Sequence, residues 1–245
     1  MQANLKWLTA REIAHRGYHA GTDAPENSLL SFRYAIERGL PVEMDAQILG
    51  DGSVVVFHDY NGKRLLGQNL KLREYTAQTI KENGILGTDE KVPLLSEVLS
   101  FINGQTPILL EIKGEGISWK IERAIWKIVR NYKGPIAIQA FNPWTVWWFR
   151  HNMPTMPRGI LGRTAGHYKV HKFFGLFRSR LIGNLHTAPH FIGFDCHHVD
   201  RMTVQLWRRA LNIPLLAWTV KTQEELDFVD GLVDNIIFEN FDYRY

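Results

Sequence analysis

The eighteen residues Val42 to Asp59, VEMDAQILGDGSVVVFHD, decide how the chain is read. Val42 to Ile48 and Val54 to His58 are β-rich runs separated by Asp51-Gly52, a pair that readily takes positive φ and closes a two-residue hairpin. Strands joined so tightly must be antiparallel, because parallel neighbours need a crossover of roughly a dozen residues or more. With Asp51 and Gly52 as the loop, His58 falls opposite Asp45, and Glu43, two residues before Asp45, points the same way. One imidazole and two carboxylates are expected side by side.

Seven further β-rich runs lie at Glu12 to His15, Ile108 to Ile112, Ile136 to Phe141, Arg158 to Leu161, Phe191 to Phe194, Pro214 to Val220 and Asn235 to Phe238. Helical patterns with recognisable ends fall between them. Asn27 or Ser28 caps Leu29 to Arg38, Leu94 to Ile102 stops at Asn103-Gly104, Asn142-Pro143 opens another helix, Asp200 caps a later one, and Thr222 with Glu225 makes a capping box. Strand-helix alternation argues for a parallel sheet. Setting aside the hairpin strand leaves eight strands, which predicts an α/β chain folded as a (β/α)8 TIM barrel with one extra antiparallel strand after strand 2. No repeat or linker marks a boundary, so residues 1–245 are expected to form one domain, with residues 60–93 as an insertion, either a lid or a small subdomain.

Composition narrows the function classes. At 245 residues and 45% hydrophobic, the chain can bury one large core. The sequence has no run of eighteen apolar residues and no apolar leader with a cleavage site, so the expected compartment is the cytosol. Cys196 is the single cysteine, which excludes an internal disulfide and a thiolate zinc cluster. A net charge of +4 suits an anionic small substrate but is small for a nucleic-acid binder.

The chemistry-bearing residues gather at strand ends, where barrel enzymes keep their active sites. Glu111 and Lys113 close the Ile108 to Ile112 run, and His15, Arg16 and Gly17 close the first. Buried carboxylates need a cation and buried cations need an anion; a metal and a phosphate would satisfy both. Glu43, Asp45 and Glu111 carry three negative charges against four positive ones from a divalent metal, Arg16 and Lys113, an excess that one phosphodiester anion would neutralise. An all-oxygen donor set favours a hard cation, Mg²⁺ or Ca²⁺. Singly, each of these residues has a plainer reading: Asn27 as a helix cap, Glu26 as a favourable charge at a helix start, His197 and His198 as hydrogen-bonded structural residues, and Cys196 as a small buried hydrophobe.

Several segments are specific: Ala14-His15-Arg16-Gly17, Pro25-Glu26-Asn27-Ser28, Glu43-Met44-Asp45, Asp51-Gly52 leading to His58-Asp59, Val92-Pro93-Leu94-Leu95 and Glu111-Ile112-Lys113. Ala140-Phe141-Asn142 and Ala217-Trp218-Thr219-Val220 add weaker matches. In these segments the chain resembles the glycerophosphodiester phosphodiesterase family. The resemblance implies a metal-dependent barrel enzyme that hydrolyses glycerophosphodiesters to glycerol 3-phosphate and an alcohol. It makes His15 and His58 the acid/base pair, Glu43, Asp45 and Glu111 the ligands of one divalent cation, and Arg16 and Lys113 the phosphate-side cations. Phe141 and Trp218 become substrate-lining aromatics, with a core role as the plainer alternative. The expected course is attack by the vicinal glycerol hydroxyl to give a cyclic phosphate, which water opens with the histidine roles reversed; direct attack by metal-bound water is the rival course, and the sequence does not say which histidine acts first.

The chain departs from the family pattern at Phe238-Glu239-Asn240, where a Thr-Asp-x-Pro turn is usual, and at Gly50, a position often polar. Tyr168 to Leu185 interleaves basic and large apolar residues, as a segment lying on an anionic membrane would. That pattern raises a lysophospholipase D-like activity at a membrane surface as an alternative. A non-catalytic metal- and anion-binding barrel is the other.

Overall fold

The computed structural model describes residues 5–114, 116–163 and 186–240. The strands are β1 Ile13–Ala14, β2 Val42–Ile48, β3 Val54–Val56, β4 Ile108–Ile112, β5 Ile136–Ala140, β6 Arg158–Gly162, β7 Phe191–Asp195, β8 Leu215–Val220 and β9 Asn235–Phe238. Their hydrogen-bonded order is β1-β9-β8-β7-β6-β5-β4-β2-β3, and β1 also pairs with β2, so the order closes on itself. Eight strands run parallel and β3 lies antiparallel to β2, the topology of a (β/α)8 barrel carrying a hairpin strand. The segment 168–185 lies outside the described residues. Among the described residues no helix is long and apolar enough to cross a membrane.

The chain divides into two compact units. Residues 14–136 form one, with helices α1 Leu29–Glu37, α2 Lys63–Leu66, α3 Leu95–Ile102 and α4 Lys120–Val129. Ser28 caps α1 by accepting from the Ser31 backbone N–H, and Asn103 ends α3 in the left-handed conformation. Residues 1–13 with 137–245 form the other, with α5 Pro143–Asn152, α6 Met202–Leu211 and α7 Gln223–Val229. Asn142 and Thr222 cap α5 and α7 through their side chains. Asp200 does not cap α6: the helix begins one residue later, with Arg201 at the cap position and its carbonyl accepting the first helical hydrogen bonds.

The hairpin turn is one residue longer than Asp51-Gly52 suggests. Leu49 donates to the Ser53 carbonyl and Gly52, at φ +87°, donates back to Leu49, so Gly50, Asp51 and Gly52 together form the loop. Gly50 joins the turn because its backbone is pressed against Arg73 and Tyr75. Its N–H donates to Tyr75, and a Cβ there would lie 2.1 Å from the Arg73 carbonyl oxygen, so no side chain fits. The observed register pairs Ala46 with Val56, Gln47 with Val55 and Ile48 with Val54.

Residues 60–93 build an apolar cluster in which Leu65, Leu66, Leu72, Tyr75, Ile80, Ile85 and Val92 pack with Leu49, Val55 and Phe57 of the hairpin. Phe57, 1% exposed, anchors the end of the hairpin in this cluster immediately before His58. Leu65 is equally buried, so Leu65→Ala is expected to cost about 2–5 kcal/mol of unfolding free energy, read from the urea midpoint.

Candidate active site

β2 alternates, so Glu43, Asp45 and Gln47 share one face. On the neighbouring parallel strand Asp45 pairs with Glu111 and Ala46 with Ile112, the last residue of β4. The carboxylates are mid-strand in sequence, yet they sit where the neighbour ends, because β2 runs on into the hairpin. Glu43, Asp45 and Glu111 are all buried, and one oxygen from each lies within 4.8 Å of the others. Lys113 follows on the same line, with Nζ 2.8 Å from Glu111 Oε1 and 3.0 Å from Asp45 Oδ1.

The turn after β1 supplies the opposite wall. His15 Nε2 lies 3.9 Å from Glu43 Oε2, and the Arg16 backbone N–H donates to the same oxygen at 3.2 Å. Arg16 has φ +56°, a conformation that costs a non-glycine residue about 1–3 kcal/mol and that only strong surroundings hold. Its carbonyl accepts from Asn27 and Ser31, and its Nε reaches Asp45 Oδ2 at 3.3 Å. Asn27, itself at φ +57°, donates to Asp45 Oδ2 at 2.9 Å and accepts from the Asp45 backbone N–H. Asn27 thus braces a carboxylate, while Ser28 does the capping. A Cβ at Gly17 would meet Ser31 Oγ at 2.5 Å, so this turn closes onto α1 only with glycine there.

His58 is not the cross-strand partner of Asp45. The longer turn makes Phe57 the residue whose N–H donates to the Asp45 carbonyl, and β3 has already ended at Val56. His58 instead follows the ladder, where Gln47 Nε2 lies 2.8–2.9 Å from the carbonyl oxygens of Phe57, His58 and Asp59 and fixes the chain's path. It remains close enough to Asp45 for its charge to bear on that carboxyl. Its Nδ1 is 2.8 Å from Asp59 Oδ1.

Beyond Arg16 the charges continue outward. Glu26 Oε1 accepts from Arg16 Nη1 at 2.7 Å, and Arg64 of α2 reaches both Glu26 and Asp59. Glu43, Asp45, Glu111, Glu26 and Asp59 set five carboxylates against the three cations Arg16, Lys113 and Arg64. Burial would raise the Asp45 carboxyl, but Lys113, His58, Arg16 and His15 outweigh it and hold Asp45 below the usual range. Burial, then Asp45 and Glu111, push Glu43 well above that range. A hard divalent cation among these three oxygens would favour the ionised form of Glu43, so the donor set fits one.

Phe141 and Trp218 belong to the other unit, where their rings meet edge-on at 5.4 Å and Arg163 lies over Phe141. Burial and the neighbouring Glu225 and Asp195 push the Cys196 thiol up to about 12, and His197 lies between Asp195 and Glu225. Gln47, Asp59 and Arg64 carry structure that motif reading does not assign. Alternation from Asp45 could have picked out Gln47, whereas no local pattern points to Arg64.

The glycerophosphoryl diester phosphodiesterase family model matches residues 15–242. A glycerophosphodiester phosphodiesterase of Caldanaerobacter subterraneus is 25% identical, covering 93% of this chain and 93% of that protein. A lysophospholipase D of Rattus norvegicus is 37% identical over 125 residues, 46% of this chain and 39% of the rat protein. Among solved structures, an Oleispira antarctica phosphodiesterase in complex with the product sn-glycerol-3-phosphate superimposes with a TM-score of 0.77 at 22% identity, covering 94% of this chain and 92% of that one.

Burial would raise the Glu26 carboxyl, but the Arg64 hydrogen bonds and the charges of Arg16 and Arg64 hold it below its ordinary value. A depressed folded value gives stability that is complete above the unfolded value of about 4.3 and is lost as pH falls through the folded one. Arg64→Ala is therefore expected to destabilise the protein more at pH 7 than at pH 3, as measured by urea unfolding at both.

Proposed function

The chain belongs to the glycerophosphoryl diester phosphodiesterase family, phosphoric diester hydrolases, and on that premise we propose that it hydrolyses glycerophosphodiesters to glycerol 3-phosphate and an alcohol. The observation that carries the reading is the buried carboxylate triad met by two cations, with His15 against Glu43 and His58 next to Phe57, whose N–H donates to the Asp45 carbonyl. Arg16 and Lys113 are the groups suited to hold the non-bridging phosphate oxygens. Mg²⁺ or Ca²⁺ held by Glu43, Asp45 and Glu111 would supply Lewis-acid polarisation of a phosphoryl oxygen.

The alkoxide of an alkyl diester leaves poorly without a proton. One imidazole donates that proton, and the other removes the proton of the attacking hydroxyl. With the vicinal glycerol hydroxyl as nucleophile, the first step forms a cyclic phosphate and releases the alcohol. In the second, water opens the ring with the two imidazoles exchanging roles.

A coupled assay for glycerol 3-phosphate released from glycerophosphocholine tests the activity. His58→Ala and His15→Ala are each expected to lower kcat by about 10²–10⁴-fold, and EDTA to abolish turnover until Mg²⁺ or Ca²⁺ is restored. No product with either ion would remove the proposal. A cyclic phosphate should accumulate in a single turnover in ¹⁸O-water; labelled product without it would assign the attack to water instead. Independently of turnover, Mg²⁺ or Ca²⁺ at 100 times its dissociation constant should add about 2.7 kcal/mol of stability. A thermal melt of Glu43→Gln/Glu111→Gln should lack that increment.

A second reading, lysophospholipase D-like activity, is favoured by the match to the rat enzyme. Turnover of lysophosphatidylcholine that grows with acyl length would support it, and indifference to the acyl chain would exclude it.

A further inference from the structure

We infer that Arg64 is a positioning residue that sets two functional side chains at once, Arg16 through Glu26 and His58 through Asp59. The inference rests on the proposed roles of Arg16 and His58 and adds the part that residues 60–93 play in them.

Arg64 makes four hydrogen bonds through its planar fork. Nη1 donates to Glu26 Oε2 at 2.6 Å, Nε to Asp59 Oδ2 at 2.8 Å, and Nη2 to both Glu26 Oε1 and Asp59 Oδ1 at 2.9 and 2.8 Å. The two oxygens that share Nη2 are the same two that hold the functional groups: Glu26 Oε1 takes Arg16 Nη1 at 2.7 Å, and Asp59 Oδ1 takes His58 Nδ1 at 2.8 Å. An ionised carboxylate can only accept, so His58 carries its proton on Nδ1 and leaves Nε2 as the reacting nitrogen. Without the guanidinium, two carboxylates facing one position would repel, and each would swing with the side chain it holds.

An isolated surface ion pair contributes little, and Arg64 is 47% exposed. Its carboxylates, however, are only 11% and 20% exposed, and its backbone is fixed by Leu65 and Leu66 on α2, both buried in the apolar cluster of residues 60–93. That cluster also takes Phe57, the residue before His58. The insertion thus grips the catalytic imidazole by backbone and by side chain.

Steady-state kinetics on glycerophosphocholine separate the two arms. Asp59→Asn, which keeps the side-chain shape, is expected to lower kcat by about 10–100-fold with KM little changed. Glu26→Gln is expected to raise KM by about 10–100-fold, and Arg64→Ala to do both. Arg64→Lys should not restore either parameter, because a point charge cannot bridge both carboxylates. Guanidinium chloride below denaturing concentrations should partly rescue Arg64→Ala but not Asp59→Asn, and Lys63→Ala, next to Arg64 and exposed, should match the wild type. Adding Asp59→Asn to Arg64→Ala should lower kcat no further. The inference is overturned if Arg64→Ala changes neither parameter or only one, or if its kcat loss adds fully to that of Asp59→Asn, while His58→Ala shows its expected loss of about 10²–10⁴-fold in kcat. A His58→Ala with the kcat of the wild type would instead remove the functional reading beneath it.

Discussion

Asp45 is a carboxylate with no solvent exposure, and such a group must be met by charge and hydrogen bonds or leave its charge behind. Lys113 reaches one oxygen, and Arg16 and Asn27 reach the other. Two of those partners are placed at some conformational cost. Arg16 and Asn27 are in the left-handed region, and Gly17 is glycine because the turn that carries Arg16 closes directly onto Ser31. The architecture around β2 is the means by which one ionised group is kept in the interior with its neighbours aimed at it.

The same logic explains why two more carboxylates are tolerated beside Asp45. Burial, then repulsion from Asp45 and Glu111, pushes the Glu43 carboxyl up, a cost that an additional positive charge would relieve. The network does not stop at the oxygens that would bind it: through Arg16, Glu26, Arg64, Asp59 and His58, ion pairs and hydrogen bonds run from the centre to residues 60–93. A local hydrophobic cluster that would otherwise be read as ballast therefore fixes the orientation of a polar side chain next to it.

The hairpin shows how sequence reasoning can reach the right neighbourhood by an imperfect route. Asp51-Gly52 announces a reversal, and the reversal is there. The loop takes a third residue because Gly50 is pressed against the Arg73 carbonyl, a contact between segments more than twenty residues apart in the chain. One extra loop residue shifts the register by one and, in an unbroken ladder, would have turned His58 to the wrong face. The ladder ends at Val56, and Gln47 and Phe57, not strand pairing, fix the residues that follow.

The eight parallel strands, the hairpin, the capped starts of α1, α5 and α7 and the pairing of Glu43 with Asp45 and of Glu111 with Lys113 were all legible in the sequence. They depend on periods of two and 3.6 residues and on local cap and turn chemistry, which act over a few residues. The register of the hairpin, the bracing of Asp45 by Asn27 and the reach of Arg64 to Glu26 and Asp59 were decided only by the tertiary structure. Arg64 is 38 residues from Glu26 in the chain, and no local periodicity records a contact that exists only because the tertiary structure brings α2 beside the turn that carries Glu26.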